Sequence, residues 1–376
     1  MVIPDKKRNI GLDIARSLAM FLVLFSHSIW ISDHYPKPIL TLMQMSGTIG
    51  VEVFFIISGF LIGKIILRDI NRPNYSFKNV RRFIVRRWIR IFPNYYMILL
   101  INVVIWFSIY NELPKSLYKY IIYIQNFFSP SPAFYRISWS LSVEQFSYLI
   151  VPIAVYFIIA IFKDKDRTKL FFYTSLVAVV LFSIPKIHFY FTRELKDIVD
   201  WNENIRKVLI YRLDTVYIGF MFRYIYDKYK SWFYSNRIIC FGCGLLIIFI
   251  LHGFRGFFGI TVAQSPFFMT VLYLPLNSIA VCLLLPFLLE VNLKSKQLSK
   301  VFVKTSVLSY SIYLLHYSII LHLLKVLIPS EDFTGITLWL YTFFYWGLTF
   351  LLSYLLYTFY ELPFMRYRNK KFPKLK

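Results

Sequence analysis

The chain has 376 residues, of which 58% are apolar, with a mean hydropathy of +0.57 and a formal net charge of +24. Apolar runs of about twenty residues recur from end to end, each long enough to cross a bilayer, which excludes an ordinary soluble domain. A nucleic-acid partner is excluded too, since neither zinc-finger spacing nor a basic region with heptads accompanies the charge.

The expected fold is all-α: a polytopic membrane bundle of about ten transmembrane helices, at 10–32, 47–67, 92–110, 142–162, 170–187, 208–226, 237–253, 267–289, 305–328 and 336–360. The run 117–128 is short and polar enough to lie at the interface. With the amino terminus inside, 28 of the 43 Lys and Arg fall in inner segments and 9 in outer ones. Short cytoplasmic loops carry such an excess, so both termini are expected in the cytoplasm. The net charge is then topological and answers anionic lipid headgroups. The first apolar run is too long for a cleavable signal and lacks a small-residue cleavage site. A single membrane domain over 8–368 is expected, with short basic cytoplasmic tails at 1–7 and 369–376.

In chain order, the first span holds Asp13, Arg16 and His27. An ionisable residue inside a span is a functional candidate by default. At 100° per residue, Arg16 and His27 share one helical face and stand roughly 16 Å apart along the axis, which describes the wall of a polar cavity. The second span carries Glu52. Before the third lies the basic stretch 81–90, in which Arg81 and Arg82 suit a positive-inside anchor, whereas Arg87 and Arg90 share a face by their i, i+3 spacing and could clamp a polyphosphate. Glu144 opens the next span from the outer side, followed later by Arg212 and Asp214, which are 200° apart on a helix and cannot share a face. By depth, His27, Glu52, Glu144, Arg212 and Asp214 form an outer layer suited to proton transfer. Asp13, Arg16 and the arginines of 81–90 form an inner layer suited to phosphates. The three cysteines, Cys240, Cys243 and Cys282, lack a second pair or nearby histidines and read as buried structural thiols. No metal site, Walker loop or dinucleotide fingerprint is found. His316 reads as a packing element beside Tyr313, and Glu361 with Pro363 as the end of the last helix.

Seven ordered motifs across 8–368 together resemble the acyltransferase-3 family of integral membrane acyltransferases. They are Leu12-Asp13-x-x-Arg16 with His27; Gly50-Val-Glu52-Val-Phe-Phe-Ile-Ile-Ser58-Gly59-Phe60-Leu61; Arg87-x-x-Arg90 before Pro93; Trp139-Ser-Leu-Ser-Val-Glu144; Arg212-x-Asp214 with Gly219; Leu308-Ser-Tyr-Ser-Ile-Tyr313-Leu-Leu-His316; and Tyr360-Glu361-Leu-Pro363. Glu52 stands where the family more often has aspartate. The resemblance implies transfer of an acyl group, usually acetyl from acetyl-CoA, to a hydroxyl of an envelope component such as lipopolysaccharide, capsule or exopolysaccharide precursor, in the cytoplasmic (inner) membrane of a bacterium. Acyl-CoA enters as donor substrate, and no cofactor is expected to be bound permanently.

The roles expected on that basis are His27 as general base toward the acceptor hydroxyl or as transient acceptor of the acyl group, and Glu144 orienting His27 or the acceptor. Arg87 and Arg90, helped by Arg16, hold the CoA phosphates, and Asp13 fixes Arg16. Glu52, Arg212, Asp214, Tyr313 and His316 support them. Some members add a further span and a periplasmic SGNH-type domain, whereas this chain ends soon after its tenth expected span. Direct acylation of an envelope glycan or lipid-linked saccharide is therefore expected in preference to hand-over to a separate periplasmic or extracellular transferase. The rival reading is a transporter or flippase for a lipid-linked sugar, but the paired repeats and interrupted helices common in such proteins are not found.

Overall fold

Every expected span folds as helix in the computed structural model, which describes residues 8–254 and 257–373 and contains no strand among them. The long helices are α1 (Ile10–His27), α2 (Lys37–Ile70), α3 (Phe77–Tyr110), α4 (Trp139–Ile161), α5 (Arg167–Thr192), α6 (Leu213–Lys228), α7 (Arg237–Ile248), α8 (Tyr273–Glu290), α9 (Lys296–Leu315), α10 (Gly335–Leu356) and α11 (Leu362–Lys371). Among the described residues, eight helical stretches are long and apolar enough to cross a membrane. The expected spans at 208–226 and 237–253 are instead the shorter α6, of 16 residues, and α7, continued by the π segment Phe249–Gly253. The segment 117–128 forms only the five-residue helix Leu117–Ile121 and turns.

Two boundaries differ from the sequence reading for physical reasons. The stretch 81–90 was expected to flank a span, yet α3 begins at Phe77, where Ser76 and Asn79 form a reciprocal capping box that satisfies orphan amides. The arginines therefore ride on a helix 34 residues long and are carried into the bundle. At the other end, Glu361 and Pro363 do not stop the last helix. A π segment, Tyr357–Glu361, runs straight into α11, so the turn just before Pro363 is widened while the helix continues through it. Of the cysteines, Cys240 and Cys282 are buried as expected, but Cys243 faces outward.

Central α2 packs on α1 and on α6. A Cβ added at Gly59 would lie 2.4 Å from the Val216 carbonyl oxygen, so α2 and α6 touch backbone to backbone where Gly59 meets Gly219. Small residues allow such an approach where lipid removes the hydrophobic drive between helices. Beside this crossing lie two buried ion pairs, Glu52 with Arg212 and Lys186 with Asp214. Ser278 of α8 also donates to Glu52 Oε2 at 3.2 Å. The 200° between Arg212 and Asp214 thus serves two partners, and α2, α5, α6 and α8 are tied together by charge. Removing one member leaves a buried charge unpaired, at a cost of about 3–5 kcal/mol. Asp214→Asn is expected to abolish the monodisperse peak in size-exclusion chromatography, and Lys186→Met with Asp214→Leu to restore most of it. Equal yields of the single and double variants would refute that account.

Candidate active site

The amino end of α1 is pinned first. Asn9 caps it by accepting from the Leu12 amide at 3.0 Å, and Asp13 is held by Arg8 Nη2 at 2.6 Å and by the Ser306 hydroxyl at 2.6 Å. Asp13 therefore pairs with Arg8 and Ser306 and does not fix Arg16 by a hydrogen bond. Arg16 is left to line a cavity between α1, α2, α3, α4 and α9, with Arg87, Arg90, Ser58, Glu144, Tyr148 and Tyr313. The Arg87 guanidinium stands 5.7 Å from the ring centres of both Phe83 and Tyr148, a geometry in which aromatic faces help hold a cation.

Glu144 belongs to this cavity. It sits beside Ser58 and Tyr148, which bond to each other, and close to Arg87 and Arg16. The outer layer inferred from depth thus divides three ways. Glu144 joins the arginines, Glu52 with Arg212 and Asp214 with Lys186 become ion pairs, and His27 pairs with His316.

The His27–His316 contact is the chief feature that sequence reasoning missed. His316 lies where α9 passes into the π segment His316–Leu321, and π-bulges of this kind often mark functional positions. His316 Nδ1 faces the carbonyls of Ile312 at 3.0 Å and Tyr313 at 2.9 Å, so it carries the proton and donates. Its Nε2 is then the acceptor, 3.0 Å from His27 Nδ1. His27 Nδ1 in turn also faces the Val23 carbonyl at 3.0 Å and must be the protonated nitrogen. The network fixes both tautomers and leaves the lone pair of His27 on Nε2. Tyr317 flanks the pair, its ring centre 4.9 Å from that of His27. One turn below His316, the Tyr313 hydroxyl reaches Ser140 at 2.6 Å and the Ile137 carbonyl at 2.7 Å, which closes the top of the cavity.

Below the cavity a second recess is lined by Arg68, Arg82, Arg86, Arg87, Arg90 and Arg368, with Asp69 as its one carboxylate among the described residues. Arg87 and Arg90 line both spaces. Arg86 could have been noticed in the stretch 81–90. Arg368 had no local signal and is delivered by α11 packing on α3. Glu361, read from sequence as a terminator, is a buried carboxylate bridging Asn94 of α3 at 3.0 Å and Ser311 of α9 at 2.7 Å.

A family described as an acyltransferase domain matches residues 9–358. An uncharacterized protein of Haemophilus influenzae is 28% identical over 160 residues, covering 39% of this chain and 63% of that protein. The putative peptidoglycan O-acetyltransferase YrhL of Bacillus subtilis is 28% identical over 148 residues, 35% of this chain and 23% of that protein. O-acetyltransferase OatA of Staphylococcus aureus is 26% identical over 199 residues, 48% of this chain and 30% of that protein. The matches thus span less than two thirds of these curated relatives. No solved structure matches the chain.

Proposed function

The chain belongs to the acyltransferase domain family, and from that premise we propose that it is an integral-membrane O-acyltransferase. In this reading it moves an acyl group, most simply acetyl, from cytosolic acyl-CoA to a hydroxyl of an envelope glycan or lipid-linked saccharide, in the cytoplasmic membrane of a bacterium. One observation carries the reading: an arginine-lined recess and a cavity share Arg87 and Arg90 in their walls, and Tyr313, at the far wall of that cavity, has its ring centre 5.8 Å from that of His316, the partner of His27. Six guanidinium groups against one carboxylate suit the phosphates of a CoA, because the planar fork binds phosphate oxygens two at a time. The cavity between the two ends suits the slender pantetheine arm.

His27 Nε2 then takes the proton of the acceptor hydroxyl as its oxygen attacks the thioester carbonyl. The C–S bond breaks, the CoA sulfur leaves as a thiolate, and the imidazolium returns the proton to it. His316 acts through His27, accepting from Nδ1–H and so keeping the basic lone pair on Nε2, in the way a buried partner orients a catalytic imidazole. Glu144, placed among Arg16 and Arg87, serves the donor side by holding those guanidinium groups.

The test is label transfer from radiolabelled acetyl-CoA into envelope glycan, using membranes that contain the protein. Label released by mild alkali, as an O-ester would be, is the expected outcome. Absence of such label, together with movement of a lipid-linked sugar across proteoliposomes, would replace this reading with the transporter one.

A further inference from the structure

At the end of the bundle opposite the arginine recess lies a second, smaller cationic site for which the acyl donor has no use. Arg206 closes the π segment Asn202–Arg206. Its Nη2 donates to the Gly47 carbonyl at 3.2 Å, its Nη1 to Asn202 Oδ1 at 3.3 Å, and its guanidinium carbon lies 5.4 Å from the Trp139 ring centre. Gly47 abuts the residue before His27, for a Cβ on it would stand 2.4 Å from the Ser26 hydroxyl oxygen. Trp139 precedes Ser140, which holds Tyr313. Arg206 is thus braced between the segment that packs beside His27 and the one that holds Tyr313.

This guanidinium has no counter-ion: among the described residues no carboxylate lies within ion-pair distance of it. The nearby Glu203 is occupied by Lys207, at 2.5 Å. Burial lowers Arg206 to about 10, and the Arg212 charge adds to that. Burial likewise lowers Lys207, Glu203 opposes the shift, and Arg206 and the exposed Arg136 reinforce it. Glu52 opposes the shift of Arg206 but is paired with Arg212, so Arg206, Lys207 and Arg136 are left facing the single carboxylate of Glu203. Mutually repelling, partly desolvated cations are stabilised by an anion that binds among them. The excess of two positive charges matches a phosphoryl group, which carries about −1.5 to −2 at neutral pH.

We propose that this site receives a phosphoryl group of the acceptor, held by Arg206 with Lys207 and Arg136 at its rim, so that the acceptor hydroxyl is presented to His27 by its own phosphate. The assignment rests on the O-acyltransferase reading of the His27 pocket and adds that the acceptor is anionic. A neutral sugar would leave Arg206 unpaired, whereas a phosphate on the glycan or on its lipid carrier would meet it.

Calorimetric binding to the full chain in phosphatidylcholine nanodiscs tests this without requiring turnover. The probes are glucose 6-phosphate against glucose, and farnesyl phosphate against farnesol. A phosphorylated probe is expected to bind where its neutral counterpart does not. Arg206→Gln is expected to weaken that binding about tenfold or more, and Arg206→Lys to retain an intermediate affinity. Arg136→Gln, at an exposed position that tolerates change, should weaken it by up to about fivefold. Unchanged CoA binding in all three variants would show that the donor recess and the fold are intact. Binding of glucose 6-phosphate would assign the phosphate to the glycan, and binding of farnesyl phosphate alone would assign it to the carrier. Phosphorylated probes that bind wild type and both glutamine variants equally, or no better than the neutral ones, would overturn the proposal. Failed label transfer with intact Arg206-dependent binding would count against the enzymatic reading alone.

Discussion

His27→Ala is expected to lower acyl transfer by about 10²–10⁴-fold, the usual contribution of a positioned general base, while the protein still inserts and still binds CoA. The expectation follows from geometry as much as from residue type. The His27 side chain is half-buried at the end of α1, its Nδ1 proton is committed to Val23 and His316, and only Nε2 remains to accept a proton. The consequence for His316 is sharper than the loss of a neighbour. His316→Phe removes the acceptor that fixes the tautomer and should lower kcat with little change in KM for acyl-CoA. His316→Gln can offer an acceptor oxygen near the position of Nε2 and should recover much of the rate. A purely structural His316 would lower folded yield and leave the rate per folded molecule unchanged in both variants. For His27 itself, wild-type label transfer by membranes carrying the alanine variant would remove the base from the mechanism.

What the sequence made legible follows the helix period. Arg16 and His27, placed on one face by 100° per residue, both turn toward α9, Arg16 into the cavity with Ser306 and Ser309 and His27 onto His316. Arg87 and Arg90 likewise line one space, as their spacing required. Local periodicity says nothing, however, about which distant element closes a pair. His316 lies 289 residues from His27, and Arg368 reaches the recess only because α11 folds back on α3. Depth alone also misplaced Glu144. Helices α3 and α4 run in opposite directions, so a carboxylate near the start of one can meet arginines well inside the other. The π segments were equally silent in sequence, yet His316, Arg206 and Glu361 all lie on them. A widened turn shifts the register of side chains that follow it, and that shift is a response to packing.

Arg87→Ala should raise KM for acyl-CoA by roughly 10- to 100-fold, since a charge-assisted hydrogen bond contributes about 1.5–3 kcal/mol. kcat should change far less, because phosphate contacts distant from the thioester hold the ground state and the transition state alike. Arg87→Lys keeps the charge but loses the fork and should fall between the two. Added salt should raise KM for acyl-CoA in the wild type and narrow its difference from Arg87→Ala, because much of the recess charge is open to screening. Arg81 supplies the control: it lies in the same basic stretch, is exposed, and lines neither space. If Arg81→Gln raises KM as much as Arg87→Ala, the stretch acts as a diffuse positive surface and the two-chamber path for the donor is wrong. If Arg87→Ala lowers kcat at constant KM, its task is to hold Glu144 and Tyr148 in the cavity, and the phosphates must be gripped by Arg86, Arg90 and Arg368 alone.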